Sequence, residues 1–344
     1  MKKVIAGAIA ASLCFTAVAD NAFQAPLVKK SLLLDVDASG FVVMVGERGH
    51  VLLSDDGDTF TQADVPTQST LTATTIVGDH VWAVGHDAVI LHSADKGQTW
   101  KIQNFEPDLQ RPFLDVLFFD EQHGIAVGAY GLFYRTRDGG ASWQPERHAS
   151  LLAPMDREYL ESVREESEEF YQQELNSILP HLNRVTRDGG KLYMAGEAGL
   201  LAVSEDNGSE WQRYDVDYTG SFFDIKPLDD TTALAVGLRG NMFVMREEGE
   251  WEFVNTCSSS TFNSILVASE QHVFALGNNG MLIKASRPLP VSEIDPYANP
   301  VDCQPANGVS KRQIEDKAAL VNAVQFNGKT LAVTANGIKS LNLE

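Results

Sequence analysis

The 344-residue chain predicts an all-β fold, a seven-bladed β-propeller of four-stranded blades. Three observations carry that expectation. A Gly-x-x-Gly phrase after a short apolar strand returns along the whole chain. An eight-residue phrase, Ser/Thr-x-Asp-x-Gly-x-x-Trp, follows several of its copies. Short alternating strands with turn signals fill the intervals.

The glycine phrase reads VMVGERGHVLLS at 43–54, WAVGHDAVILHS at 82–93 and IAVGAYGLFYRT at 125–136. It returns as YMAGEAGLLAVS at 193–204, LAVGLRGNMFVM at 234–245 and FALGNNGMLIKA at 274–285, and a worn LAVTANGIKSLN ends the series at 331–342. Its first position falls at Gly46, Gly85, Gly128, Gly196, Gly237, Gly277 and Thr334, so the gaps are 39, 43, 68, 41, 40 and 57 residues. A period near 40 with four strands per unit is the mark of a propeller blade. The two long gaps place insertions at about 147–184 and 286–318 in a single domain running from 20 to 344.

Residues 1–19 stand apart from the fold. Lys2 and Lys3 precede an apolar run from Val4 to Thr16, and Ala17-Val18-Ala19 offers a signal-peptidase site. This run is too short for a permanent membrane anchor. The expectation is an exported, soluble protein cut near Ala19, periplasmic in a cell with two membranes and monomeric on its own. Removing Lys2 and Lys3 takes the formal charge from −20 to about −22. So acidic a surface repels nucleic acid and anionic headgroups, which argues against both as partners.

Closure of the ring is the next requirement. The seventh unit supplies only three strands, LVNAVQF (320–326), TLAV (330–333) and GIKSLNL (337–343). The segment from Phe23 to Val28 precedes blade 1 and is expected to serve as the fourth strand of blade 7, leaving no open edge.

The aspartate phrase occurs as Ser93, Asp95, Gly97 and Trp100, as Thr136, Asp138, Gly140 and Trp143, and as Ser204, Asp206, Gly208 and Trp211. A shortened form, SDDGDTF, stands at 54–60. Aspartate accepts hydrogen bonds inside its own turn, glycine takes the positive φ, and tryptophan buries a large ring between blades. Such roles recur in every blade, whereas a catalytic group is needed once. The phrase is read as a structural stitch.

SADKGQTW and TRDGGASW resemble the Asp box, or BNR repeat, of sialidases and other propellers. The pairing of AVGxxG with this box on one unit resembles the photosystem II stability/assembly factor-like family in its non-photosynthetic bacterial form. That resemblance implies a non-catalytic assembly or accessory protein in a lumenal or periplasmic space. In non-photosynthetic bacteria it implies a membrane protein complex as partner, such as an inner-membrane exporter of the resistance-nodulation-division type. The alternative is a glycan-binding or sialidase-like glycoside hydrolase propeller. Against it, the Phe/Tyr-Arg-Ile-Pro phrase that opens the sialidase arginine cluster is absent, and RPF at 111–113 does not replace it. No catalytic residue, metal site or cofactor is assigned, because no His-x-x-x-His, Cys-x-x-Cys or phosphate-loop spacing occurs.

The expected partner-binding face is the one carrying the Gly-x-x-Gly turns, where side chains vary on a repeated frame. Glu47, Arg48, His86, Asp87, Tyr130, Glu197, Arg239, Asn278 and Asn279 are the candidates. Arg48, Arg239 and Tyr130 lead them, because arginine and tyrosine dominate binding hot spots.

Both insertions are expected on that same face. The first is acidic and reads as a helix or a helical pair: Tyr159, Val163, Phe170 and Leu175 to Leu179 recur at helical spacing, Asp156 caps the start and Pro180 ends the run. It packs on its own propeller or reaches a partner, and the sequence leaves both open. The second is a Pro-rich loop that contains Cys303. Cys257 and Cys303 are the two cysteines left after the leader, so an oxidising compartment joins them, pinning the loop beside blades 5 and 6.

Overall fold

The computed structural model describes residues 20–247, 249–290, 292 and 303–343, so the leader assigned to 1–19 lies outside the described residues. It contains seven antiparallel sheets, six of four strands and one of three, each a meander in chain order. In blade 1 the strands are Leu33–Ala38, Val42–Gly46, Val51–Ser54 and Thr61–Gln62. The inner strands of blades 2 to 7 are Leu71–Val77, Phe113–Phe118, Leu182–Asp188, Phe222–Pro227, Phe262–Val267 and Leu320–Phe326. The seven-bladed propeller expected from the repeat is therefore what the chain forms.

Apolar side chains fill the gaps between blades. Each of seven clusters spans two neighbours; Val43, Val45 and Leu53 of blade 1, for example, meet Leu71, Val81 and Leu91 of blade 2. The cluster between blades 7 and 1 joins Leu331 and Val333 to Leu33, Val42 and Met44, so the core is a continuous annulus. Burial on both faces explains why second strands such as VVMVG read as unbroken apolar runs.

The ring closes differently from expectation. Residues 23–28 form no strand, and blade 7 keeps three strands. That segment is tied to blade 1: Ala25 N donates to Gln62 Oε1 (2.9 Å), and the Phe23 carbonyl accepts from Gln62 Nε2 (2.9 Å). Closure falls instead to a 3-10 turn at Val28–Lys30, whose Val28 packs with Leu331, Val333 and Ile338. Gly337 makes this approach possible. A Cβ there would lie 1.9 Å from the Lys29 carbonyl oxygen, and its φ of +89° is glycine territory.

Both insertions need correction. The first forms two helices, α1 (Pro154–Glu166) and α2 (Glu168–Ile178), the helical pair among the expected forms, but its cap and apolar phase differ. Ala153 precedes α1 with Pro154 in its first turn, so Asp156 lies inside the helix and is not the cap. Ser167 separates the helices and accepts from Phe170 N at 3.3 Å. This break shifts the apolar phase: Leu160, Tyr171, Leu175 and Leu179 are buried, while Tyr159 and Phe170 face solvent.

In the second insertion, Val309–Gln313 is the outer strand of blade 6, paired with Met281–Ser286. The loop therefore joins strands three and four and leaves from the aspartate-turn side, not from the Gly-x-x-Gly face. It crosses the blade edge, where Ala306 N donates to the Asn255 carbonyl (2.9 Å) and Cys303 bonds Cys257 with Cα atoms 5.6 Å apart. The disulfide is as expected.

Candidate functional site

Five of the Gly-x-x-Gly turns are single 3-10 turns, and in six of the turns the third residue of the phrase is left-handed. Arg48, Asp87, Tyr130, Ala198, Arg239 and Asn279 have φ between +54° and +59°. Holding a non-glycine residue there costs on the order of 1 kcal/mol, which the frame repays by fixing the turn from both sides. In blade 5, Gly237 N bonds the Asn241 carbonyl (3.0 Å), while Leu238 N bonds the Ser221 carbonyl (3.0 Å). The side chain at the left-handed position is thereby held out on a rigid post. In the second blade Ala88 takes the place of the second glycine at φ +48°.

The nine candidates divide by how far they are engaged. Glu47 and Asp87 are half-buried; Glu47 Oε1 accepts from Leu32 N (3.2 Å) and Asp87 Oδ2 from Ser69 Oγ (2.6 Å). Asn278 accepts from Asn263 Nδ2 at 3.0 Å, and the Asn279 carbonyl accepts from Gln313. Tyr130 and Glu197 meet through His181, whose ring lies edge-on to Tyr130 (4.5 Å) and whose Nδ1 is 3.5 Å from Glu197 Oε2. His86, Arg48 and Arg239 are exposed, and among the described residues neither arginine has an ion-pair partner. Two unpaired guanidiniums on an acidic protein are the most available groups of this face.

Sequence reasoning missed the groups that bind the helices to it. Arg111 lies over the Tyr130 ring (5.4 Å) and donates to the carbonyls of Tyr130 (3.2 Å) and Asn176 (2.9 Å). Arg147 Nε donates to Asn176 Oδ1 (2.7 Å). The Leu179 side chain covers Gly131, where a Cβ would clash at 2.4 Å. The helical pair thus packs on its own propeller.

On the opposite face each aspartate turn closes on itself. Asp95 accepts from Ser93 Oγ (2.7 Å), Thr99 N (2.8 Å) and Thr99 Oγ1 (2.6 Å). Asp138 and Asp206 accept the equivalent bonds from Thr136 and Ser204. These bonds hold Asp56 and Asp95 down to about 2. Trp100 and Trp211 are buried in the clusters between blades 1 and 2 and blades 3 and 4. Such turns leave little carboxylate free for chemistry.

The axis carries a charged ring that the sequence reading did not find. A bulge skips one residue near the start of every inner strand. The residue that follows is Asp35, Ala73, Asp115, Arg184, Asp224, Ser264 or Asn322 in turn. Three aspartates stitch blades, accepting from the backbone N–H of Thr74 (2.9 Å), Val185 (2.7 Å) and Ile265 (2.8 Å). Arg184 faces them all, at 3.2 Å from Asp115, 3.7 Å from Asp224 and 3.8 Å from Asp35. Burial pushes Asp115 up to about 6 despite that arginine, and the three carboxylates in turn raise Arg184. Among the described residues no aromatic ring lines the roughly 430 Å³ cavity around this ring.

The fold and this face define a class: a closed propeller whose axis is locked by structural charges and whose varied side chains stand on one face. No family model matches the chain. It is 26% identical over 180 residues to the photosystem II assembly lipoprotein Ycf48 of Prochlorococcus marinus, covering 44% of this chain and 51% of that protein. Against the Ycf48 lipoprotein of a Synechococcus it is 23% identical over 275 residues, 70% of this chain and 80% of the other. The chain thus spans about half the length of the first relative. Among solved structures, YCF48 from Cyanidioschyzon merolae superposes with a TM-score of 0.64 at 19% identity, covering 93% of this chain and 97% of that one. A YCF48 bound to a D1 peptide gives 0.62 at 14%, with 94% and 98% covered. A xyloglucanase from Xanthomonas campestris shares the architecture at 0.55 and 13% identity, over 90% of this chain and 51% of that one. At such identities these structures speak for the fold alone. In sequence the chain is thus similar to the photosystem II assembly protein Ycf48, and in fold to the YCF48 propellers.

Proposed function

We propose that this propeller is a non-enzymatic accessory scaffold, exported to the periplasm with its leader removed near Ala19, that holds a membrane protein complex through its Gly-x-x-Gly face. The observation that carries the reading is the display of Arg48, Tyr130 and Arg239 in solvent on rigid left-handed posts of one face. Arginine and tyrosine so presented are binding anchors whose ordering cost is partly met in advance. The relatives named for photosystem II assembly, and the YCF48 that binds a D1 peptide, support a membrane protein as partner in general. Within that class the narrower proposal is an exporter of the resistance-nodulation-division type.

The axis supports a non-catalytic role. Asp35, Asp115 and Asp224 are buried and already accept blade-to-blade bonds, and the cavity offers a sugar no aromatic platform. The test is crosslinking of the exported protein in its own cells, with mass spectrometry of the adducts. A single membrane complex, lost in the Arg48→Glu/Arg239→Glu variant, is the expected result. Retention on a glycan array without any protein adduct would overturn the proposal.

A further inference from the structure

We propose that the outward side of the α1–α2 pair is a docking surface for a basic amphipathic segment of a protein partner; this deepens the scaffold reading and rests on it. The inward side is spent on the protein itself. Leu152, Leu160, Tyr171, Leu175 and Leu179 form a closed apolar cluster, and Leu179 covers Gly131 of blade 3. Outward, the pair leaves Met155, Tyr159 and Phe170 in solvent at 82%, 50% and 60% exposure. Met155 and Tyr159 are one turn apart and share a face of α1. Solvent-facing helix positions ordinarily carry polar residues, while exposed methionine and aromatic side chains mark interfaces.

Charge selects the occupant. The two helices carry eight carboxylates against two guanidiniums. Both arginines are used internally: Arg164 lies 3.6 Å over the Tyr171 ring and bonds Glu161 (3.0 Å), and Arg157 donates to the Ser150 carbonyl (3.3 Å). Among the described residues Glu158, Glu165, Glu166 and Glu169 have no ion-pair partner and are exposed. An apolar strip among unpaired carboxylates repels an anionic lipid surface, and it repels a second copy of a chain whose formal charge is −20. It attracts lysine and arginine flanking an apolar face. At 13 residues, α1 is about 20 Å long and matches three to four turns of a partner helix.

The experiment titrates the folded full chain against three fluorescent 18-residue peptides: a leucine/lysine amphipathic helix, its scrambled isomer, and a leucine/glutamate counterpart. Binding of the first at least tenfold tighter than the other two is expected. A tenfold loss is expected in Met155→Ser/Tyr159→Ser/Phe170→Ser. If that variant misfolds by circular dichroism, Glu158→Lys/Glu165→Lys/Glu166→Lys supplies the same test through charge. Equal binding of the scrambled isomer, or unchanged binding by the variants, overturns the proposal. Self-association that the serine variant abolishes, or binding to phosphatidylglycerol vesicles, assigns the surface to another occupant and also overturns it. Peptide binding lost while crosslinks dependent on Arg48 and Arg239 persist refutes this inference and leaves the scaffold standing; the reverse pattern refutes the scaffold face.

Discussion

Arg184 Nη1 of blade 4 stands 3.2 Å from Asp115 Oδ1 of blade 3, with Asp35 and Asp224 within 3.8 Å of the same guanidinium. One arginine thus compensates three carboxylates that hold neighbouring blades together. Removing one partner of a buried charge set leaves the others uncompensated and costs about 3–5 kcal/mol. Arg184→Met is therefore expected to lose that much in urea unfolding at pH 7, whereas Arg187→Met, an exposed position on the same strand, stays within about 1 kcal/mol.

The ring also sets a pH dependence. Burial raises Asp115 to about 6, so the folded state binds its proton more tightly than the unfolded chain. Its contribution is full below the ordinary aspartate value and is lost as pH rises through 6. His92 runs the other way: burial, then His80, lowers it to about 4, so its contribution is present above 6.5 and is lost as pH falls. Wild type minus Asp115→Asn should gain about 1 kcal/mol of stability between pH 7 and 5, while wild type minus His92→Phe falls over the same interval. Parallel chemical denaturation series check both signs.

Closure through Gly337 has its own test. The Cβ of Gly337→Ala meets the Lys29 carbonyl at a positive φ, and a cost above about 2 kcal/mol is expected. Gly328→Ala also has a positive φ but meets nothing within 4 Å, and it should cost about 1 kcal/mol. A comparable loss at both positions would count against closure by this contact.

The disulfide closes a 46-residue separation and should stabilise the fold by about 4 kcal/mol in the chain-entropy model. Cys257→Ser/Cys303→Ser is expected to lose a stability of that order and to become insensitive to dithiothreitol in thermal melts.

What could be read from the sequence follows from where residue identity is forced. The Gly-x-x-Gly period is legible because carbonyls cross its glycines: a Cβ on Gly85 would lie 2.0 Å from the Thr70 oxygen, and one on Gly240 would lie 1.8 Å from that of Ser258. The aspartate turns are legible because their bonds are local. The axial ring was hidden, since Asp35, Asp115, Arg184 and Asp224 differ in type and lie up to 189 residues apart. Counted back from the first glycine of each unit they lie 11, 13, 12 and 13 positions upstream, so aligning the units on that glycine does not bring them into one column. The helical phase was misjudged because Ser167 breaks one apparent period into two helices. Blade 7 closes by a turn and a close contact, and neither leaves an alternating pattern at 23–28.

The most direct test of docking places a photoreactive residue at 48 or 239 on one face and at 98 or 210 on the other, all exposed positions. Irradiation in the native cell should yield one membrane-protein adduct from 48 and 239 and none from 98 and 210. Adducts from 98 and 210 alone, or equally from all four, would contradict partner binding through the Gly-x-x-Gly face.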